Sequence, residues 1–230
     1  MKSPDFHRSC DIVDLLDSEN SEGRILWQLF QHHGVRGLYR YGGGFPSVDA
    51  LFDNLTASVS ARNRAAREAN EPLYEPQLHI ACHGCDAGIA WVDGSIISWS
   101  KLKALLLRFA AGIGHLIGPE QNGAFAQRLG LLSLSLSCCN GSSAARHFFD
   151  SEPYPVIAFI TPRDQIWNND CAEFFLRLYS ATLSEPWNIQ QTVSRLLQER
   201  MPMGPAGPVP IECHVPHYSP NENWRPKQEG

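Results

Sequence analysis

The sequence predicts an α/β protein of three layers, a mostly parallel sheet covered by helices on both faces. Two observations carry that prediction. Short apolar runs of strand length alternate with segments of helical period from Asp11 to Leu197, the order that parallel sheets with crossover helices require. The 230 residues are 43% hydrophobic and 19% charged, which excludes a disordered chain and supports one well-filled core.

The elements follow in chain order. Asp11 to Leu16 (DIVDLL) is a first strand. Ser21 and Glu22 open a helix through Ile25, Leu26, Leu29 and Phe30, which Gly34 stops. Leu38 to Tyr41 forms a second strand and ends in Gly42-Gly43-Gly44. No Lys-Ser/Thr follows these glycines, so they read as a turn rather than a phosphate cradle. Ser47 caps a helix whose apolar positions are Val48, Leu51, Phe52, Leu55 and Val59. Its continuation, Arg62 to Arg67, reads as a solvated basic face. Strands are expected at Gln77–Cys82, Leu131–Ser137 and Val156–Thr161, and helices at Trp99–Phe109, Ser142–Phe149, Cys171–Leu183 and Ile189–Leu197. Glu173 and Arg177, four apart, are expected to pair. The tryptophans Trp91, Trp99 and Trp167 read as packing residues.

Residues 1–200 read as one domain and 201–230 as a proline-rich tail, with an edge strand near Val209–Val215. Ile211, Val215, Tyr218 and Trp224 are its apolar anchors. The net charge of −5 supplies no basic field for nucleic acid or an anionic membrane. The start, Met1 to Phe6, lacks the apolar core of a secretion signal, and Ala104–Gly118 is broken by Arg108 and His115. Seven cysteines, an odd number, fit reduced thiols. A cytoplasmic chain is the expectation.

Two of the expected strands end in reactive groups, one in Cys82-His83-Gly84 and the other in Cys138-Cys139-Asn140-Gly141. If they are parallel neighbours, an imidazole and a thiol meet at one sheet edge although 56 positions separate them. Imidazole next to thiol is the pairing that amide cleavage needs. The ring accepts the thiol proton and returns it to the leaving amine. Donors for an oxyanion are then expected from the backbone N–H groups of Gly84 and Cys139. Strand alternation selects between the two cysteines: Cys138 continues the set Leu132, Leu134, Leu136, whereas Cys139 continues Ser133, Ser135, Ser137. His83 shares parity with His79, which reads as a packed core histidine, and with Ala81.

The segment QLHIACHGCDAGIAWVDGSIISWSKLKALL resembles the His block of the CHAT-domain, caspase-like cysteine peptidases of clan CD. LLSLSLSCCNGSSAARHFF resembles their Cys block, usually L-S-A-C-N-T-G, and VIAFITPRDQIWNNDCAEFFLRLYSATL the strand, Pro-x-Asp loop and helix after it. The likeness runs from about Asp11 to Leu197. It implies a caspase–hemoglobinase fold, His83 as general base, Cys139 as nucleophile, a protein substrate and no cofactor. The family's Thr is missing between Asn140 and Gly141, and Thr161 stands where Trp is common. By resemblance to the basic-specific branch of the clan, Asp164 is a substrate-binding candidate for Arg or Lys, with capping of the next helix as its structural alternative. Sensor or repeat domains often accompany such peptidases. None is visible here, so the resemblance implies a separate activating partner, as in immunity or regulated death.

Two other readings compete. Cys82 and Cys85, with Cys213, His214 and His217, offer a partial zinc spacing. A catalytically silent relative acting as a binding subunit would keep the fold without the activity. Asp86 and Asp93 are the carboxylates available to orient His83.

Overall fold

A computed structural model describes residues 9–16, 21–71, 77–117, 132–150, 153–184 and 189–214. Six strands form the central sheet: β1 (Asp11–Asp14), β2 (Tyr39–Tyr41), β3 (Gln77–Ala81), β7 (Ser133–Ser137), β8 (Ala158–Pro162) and β11 (Ile211–His214), in the order β11-β8-β7-β3-β1-β2. All pairings are parallel except that of β11 with β8. The sheet is thus α/β and mostly parallel, as the alternation of runs predicts.

Each face of the sheet carries its own apolar core. One core joins Val13, Leu78, Ile80, Leu134, Leu136 and Phe159 to α2 (Val48–Glu68), α3 (Trp99–Ile117) and α4 (Ser143–Phe149). The other joins Ile12, Ile160 and Ile211 to α1 (Glu22–His32), α5 (Asn168–Ser184) and α6 (Ile189–Glu199). Strand alternation divides the side chains between these cores, so a sheet buried on both faces has three layers. Among the described residues, no helix is long and apolar enough to cross a membrane.

Local chemistry sets the helix starts. Ser21 Oγ accepts from Arg24 N at 3.3 Å and Ser47 Oγ from Ala50 N at 3.2 Å, so both expected caps form. Gly34, at φ +65°, ends α1 in the left-handed conformation that glycine adopts without a Cβ penalty.

Several local expectations change. Arg62 does not sit on a solvated face: its guanidinium grips both oxygens of buried Asp11, at 2.8 and 3.0 Å. Glu173 and Arg177 do not pair with each other. Arg200 bonds Glu173 at 2.6 Å, and Arg177 bonds Glu199, because the end of α6 lies beside α5 and offers closer partners. Between β3 and α3 the chain makes a small antiparallel sheet of β4 (Gly84–Cys85), β5 (Gly88–Ala90) and β6 (Ile96–Ser98). That sheet is not predicted from the sequence pattern, because its strands are too short to show a period.

The segment after residue 200 enters the sheet. A hairpin of β9 (Met203–Gly204) and β10 (Gly207–Pro208) leads into β11, and Val209 and Ile211 are buried in the second core. The expected edge strand is β11, so the fold runs on to His214. Val215, Tyr218 and Trp224 lie outside the described residues. Cys213 faces the second core while Cys82 faces the first. With β7 and β8 between their strands, three strand spacings or about 14 Å separate them, so the zinc spacing suggested by Cys82 and Cys213 does not close.

Candidate functional site

β3 and β7 are parallel neighbours with Ala81 opposite Ser137, and Cys82 N donates to Ser137 O at 3.1 Å. The next residues of both strands therefore emerge together at the carboxyl edge, where ligands bind in open α/β sheets. His83 and Cys139 line one cavity there, of about 150 Å³. Glu22, Ser137, Asn168 and Cys171 also line it. The strand order reverses beside this point, since β1 leads to β2 on one side and β3 on the other.

Cys139 ends its strand at a sharp turn. Asn140 follows at φ +55°, a left-handed conformation that asparagine tolerates. Gly141 comes next, and a Cβ there would run into Thr161 Oγ1, so the turn closes directly onto β8. α4 then begins. Cys139 is half-buried, and its thiol donates to Ile166 O at 3.6 Å. Cys138 is buried in the first core, where burial pushes its thiol well above the ordinary range and the neighbouring Cys82 adds to the effect. Cys171 is raised in the same way by burial.

His83 is exposed, and its carbonyl accepts from Ala90 N at 2.8 Å. That bond makes residues 83 and 90 a hydrogen-bonded antiparallel pair. Alternation then leaves Gly84, opposite Ile89, at a non-bonded pair. The Gly84 N–H consequently points away from β5. A Cβ at Gly84 would run into the Cys139 carbonyl oxygen and the Cys138 side chain, so only glycine lets the two loops approach this closely. The Cys139 N–H has no hydrogen-bond acceptor among the described residues. Two backbone donors thus stand beside the thiol.

The carboxylates named to orient His83 do other work. Asp93 Oδ1 accepts from Ser95 N at 2.8 Å, and the Asp86 carbonyl accepts from Trp99 Nε1 at 2.9 Å. No described side chain hydrogen-bonds the His83 ring. Asp164 is exposed, outside the cavity wall, and its carbonyl accepts from Asn140 N at 3.1 Å, which holds the turn after Cys139. Trp91 and Trp99 are buried as expected, but Trp167 is 54% exposed, between two residues that line the cavity.

Sequence reasoning missed the carboxylate that does line the cavity. Glu22, at the first turn of α1, is only 6% exposed. Ser137 Oγ donates to its Oε2, and Ser137 in turn lies 2.9 Å from Cys171 Sγ. Its Oε1 is 3.1 Å from Nε2 of His79 but off the direction of a ring N–H, so neither atom is hydrogen-bonded. His79 is fully buried, against Phe175 and with Nδ1 3.2 Å from the Tyr179 hydroxyl. Asp14, at the end of β1, is spent on structure: it accepts from Leu16 N, Ser21 Oγ and Tyr39 Oη.

The sequence matches no family model and none of the curated proteins.

Proposed function

We propose that the chain is a cysteine endopeptidase of the caspase-like type that cleaves a protein substrate through the Cys139–His83 dyad. The observation that carries this reading is that an imidazole and a half-buried thiol, from adjacent parallel strands, line one cavity beside two free backbone donors. The resemblance of the His and Cys blocks to CHAT-domain peptidases supports it independently.

In this reading, His83 accepts the Cys139 thiol proton, and sulfur bonds to the substrate carbonyl carbon. The electron pair moves to oxygen, which the N–H groups of Gly84 and Cys139 stabilise. Re-forming the carbonyl breaks the C–N bond, and the His83 proton goes to the leaving amine. Water then attacks the thioester and gives a proton to His83. The C–S bond breaks, leaving the carboxylic acid product and the free cysteine. No step calls for a cofactor. The thiol's bond to Ile166 O describes a resting pose, since such contacts tighten toward the base only with substrate bound. A separate activating protein, acting in the cytoplasm, fits this resting state.

A silent binding subunit is the second reading, favoured by the absence of an orienting carboxylate at His83. Cleavage of a proteome-derived peptide library separates the two. Peptidase activity requires new termini with wild-type protein and none with Cys139→Ala. Equal, vanishing cleavage by both leaves the binding subunit.

A further inference from the structure

We propose that Glu22 is the specificity-determining residue of this site and selects substrates with Arg or Lys before the scissile bond. The inference rests on the peptidase reading above and names its substrate class.

The argument is one of burial and charge. A carboxylate taken out of water is costly unless its oxygens are bonded or a cation is near. Glu22 is nine-tenths buried, and only one of its oxygens is hydrogen-bonded, by Ser137. Its charge therefore has an incomplete set of partners in the protein alone. The carboxylate lines the same cavity as Cys139, and no Lys or Arg lines that cavity among the described residues. The cavity has room for one unbranched side chain, and Leu16 and Ile25 give it apolar walls for a methylene stem. A guanidinium or ammonium at its floor supplies the donors that Glu22 lacks. An acidic side chain there meets like charge at short range, which discriminates against it.

A purely structural role for Glu22 explains less. An acid in the first turn of a helix is favoured by the dipole, but that benefit is available at the surface and does not call for burial in a cavity wall. Ser137 reinforces the assignment. It sits two residues before Cys139 on the same side of β7, so the group that holds Glu22 and the group that attacks share one strand face.

The test uses three peptidyl acyloxymethyl ketones that differ only in their terminal residue, Arg, Leu or Asp, and measures the second-order rate of Cys139 alkylation on the full chain. Arg is expected to react fastest and Asp slowest. Glu22→Gln, which is isosteric and keeps an acceptor for Ser137, should lower the Arg rate about 10- to 100-fold and bring it close to the Leu rate. Equal rates for the three probes in the wild type, or a preference for Asp or Leu, overturn the role of Glu22 while leaving the nucleophile intact. Loss of the Arg preference in Asp164→Asn but not in Glu22→Gln does the same. Absence of alkylation by all three refutes the peptidase reading instead. Agmatine binding to Cys139→Ala protein, followed by calorimetry, then still reads the pocket. Binding weakened about 10-fold or more by Glu22→Gln supports the cation site, and equal binding, or none, overturns it. A melting scan of Glu22→Gln accompanies both measurements, and if it fails to fold, agmatine protection of the wild-type cavity from alkylation gives the answer.

Discussion

Cys138 and Cys139, adjacent in sequence, leave β7 toward opposite faces of the central sheet. Cys138 packs into the core with Leu134 and Leu136, whereas Cys139 lies against the second core and opens into the cavity shared with His83. The thiolate is the reactive form of cysteine, and burial in apolar surroundings suppresses it. Two neighbours of identical chemistry thereby acquire different reactivity.

Brief iodoacetamide treatment of the native protein at neutral pH should modify Cys139 and Cys85 and spare Cys138, Cys171 and Cys10. Burial raises the pKa of each spared thiol. Cys213, pushed up to about 12, should react slowly. Peptide mapping checks the order, and modification of Cys138 before Cys139 would contradict it.

Gly84→Ala places a methyl against the Cys139 carbonyl and the Cys138 side chain. The expected cost is about 1–3 kcal/mol of stability. Because the Gly84 N–H moves with the loop, turnover should fall about 100-fold, the scale of a lost oxyanion donor. Denaturant unfolding and steady-state cleavage of the same preparation report the two effects, and unchanged turnover would remove Gly84 from the oxyanion site.

Arg62→Ala strands the buried Asp11 carboxylate and should destabilise the fold by about 3–5 kcal/mol at neutral pH. Burial already raises the Asp11 pKa, with Arg62 opposing it. A raised acid pKa makes the contribution to stability greatest at low pH and diminishes it as pH rises through the folded value. The cost of Arg62→Ala should therefore shrink in acid, and a cost independent of pH would argue against an ionised Asp11–Arg62 pair.

Glu212 gives the opposite sign. A hydrogen bond from His214, followed by that from Arg163, lowers its pKa from 4.5 to about 2. Its contribution is present above pH 4.5 and is lost as pH falls through about 2. Wild-type stability should drop over this interval more steeply than that of Glu212→Gln, as measured by denaturant midpoints. Parallel acid limbs would show that β11 gains nothing from this pair.

Much of the fold is legible because its strands are short, apolar and cleanly alternating. The Leu/Ser alternation of 132–137 assigns side chains to faces before any neighbour is known, and it places Cys139 opposite Cys138. His79 is also legible as a core residue from its position inside QLHIAC. Glu22 is not legible as a cavity residue. Its only local signal is that of a helix start, and it comes to the cavity because α1 begins at the carboxyl edge, just after β1. A rule could have found it: in a parallel sheet, residues opening the helix after each strand share the edge where ligands bind. Arg62 escapes for a similar reason, because its partner Asp11 lies 51 positions away. The spacing of Glu173 and Arg177 suggests a pair that α6 dissolves by bringing Glu199 and Arg200 alongside.

The most direct test of the account is mass mapping after reaction with an arginyl peptidyl acyloxymethyl ketone. In that reaction sulfur displaces the carboxylate and forms a stable C–S bond. The account predicts one adduct per chain, on Cys139, lost in Cys139→Ala, retained in Cys138→Ala and formed much more slowly in His83→Ala. An adduct on Cys138 or Cys85, an unchanged rate in His83→Ala, or no adduct on the wild-type protein would contradict it.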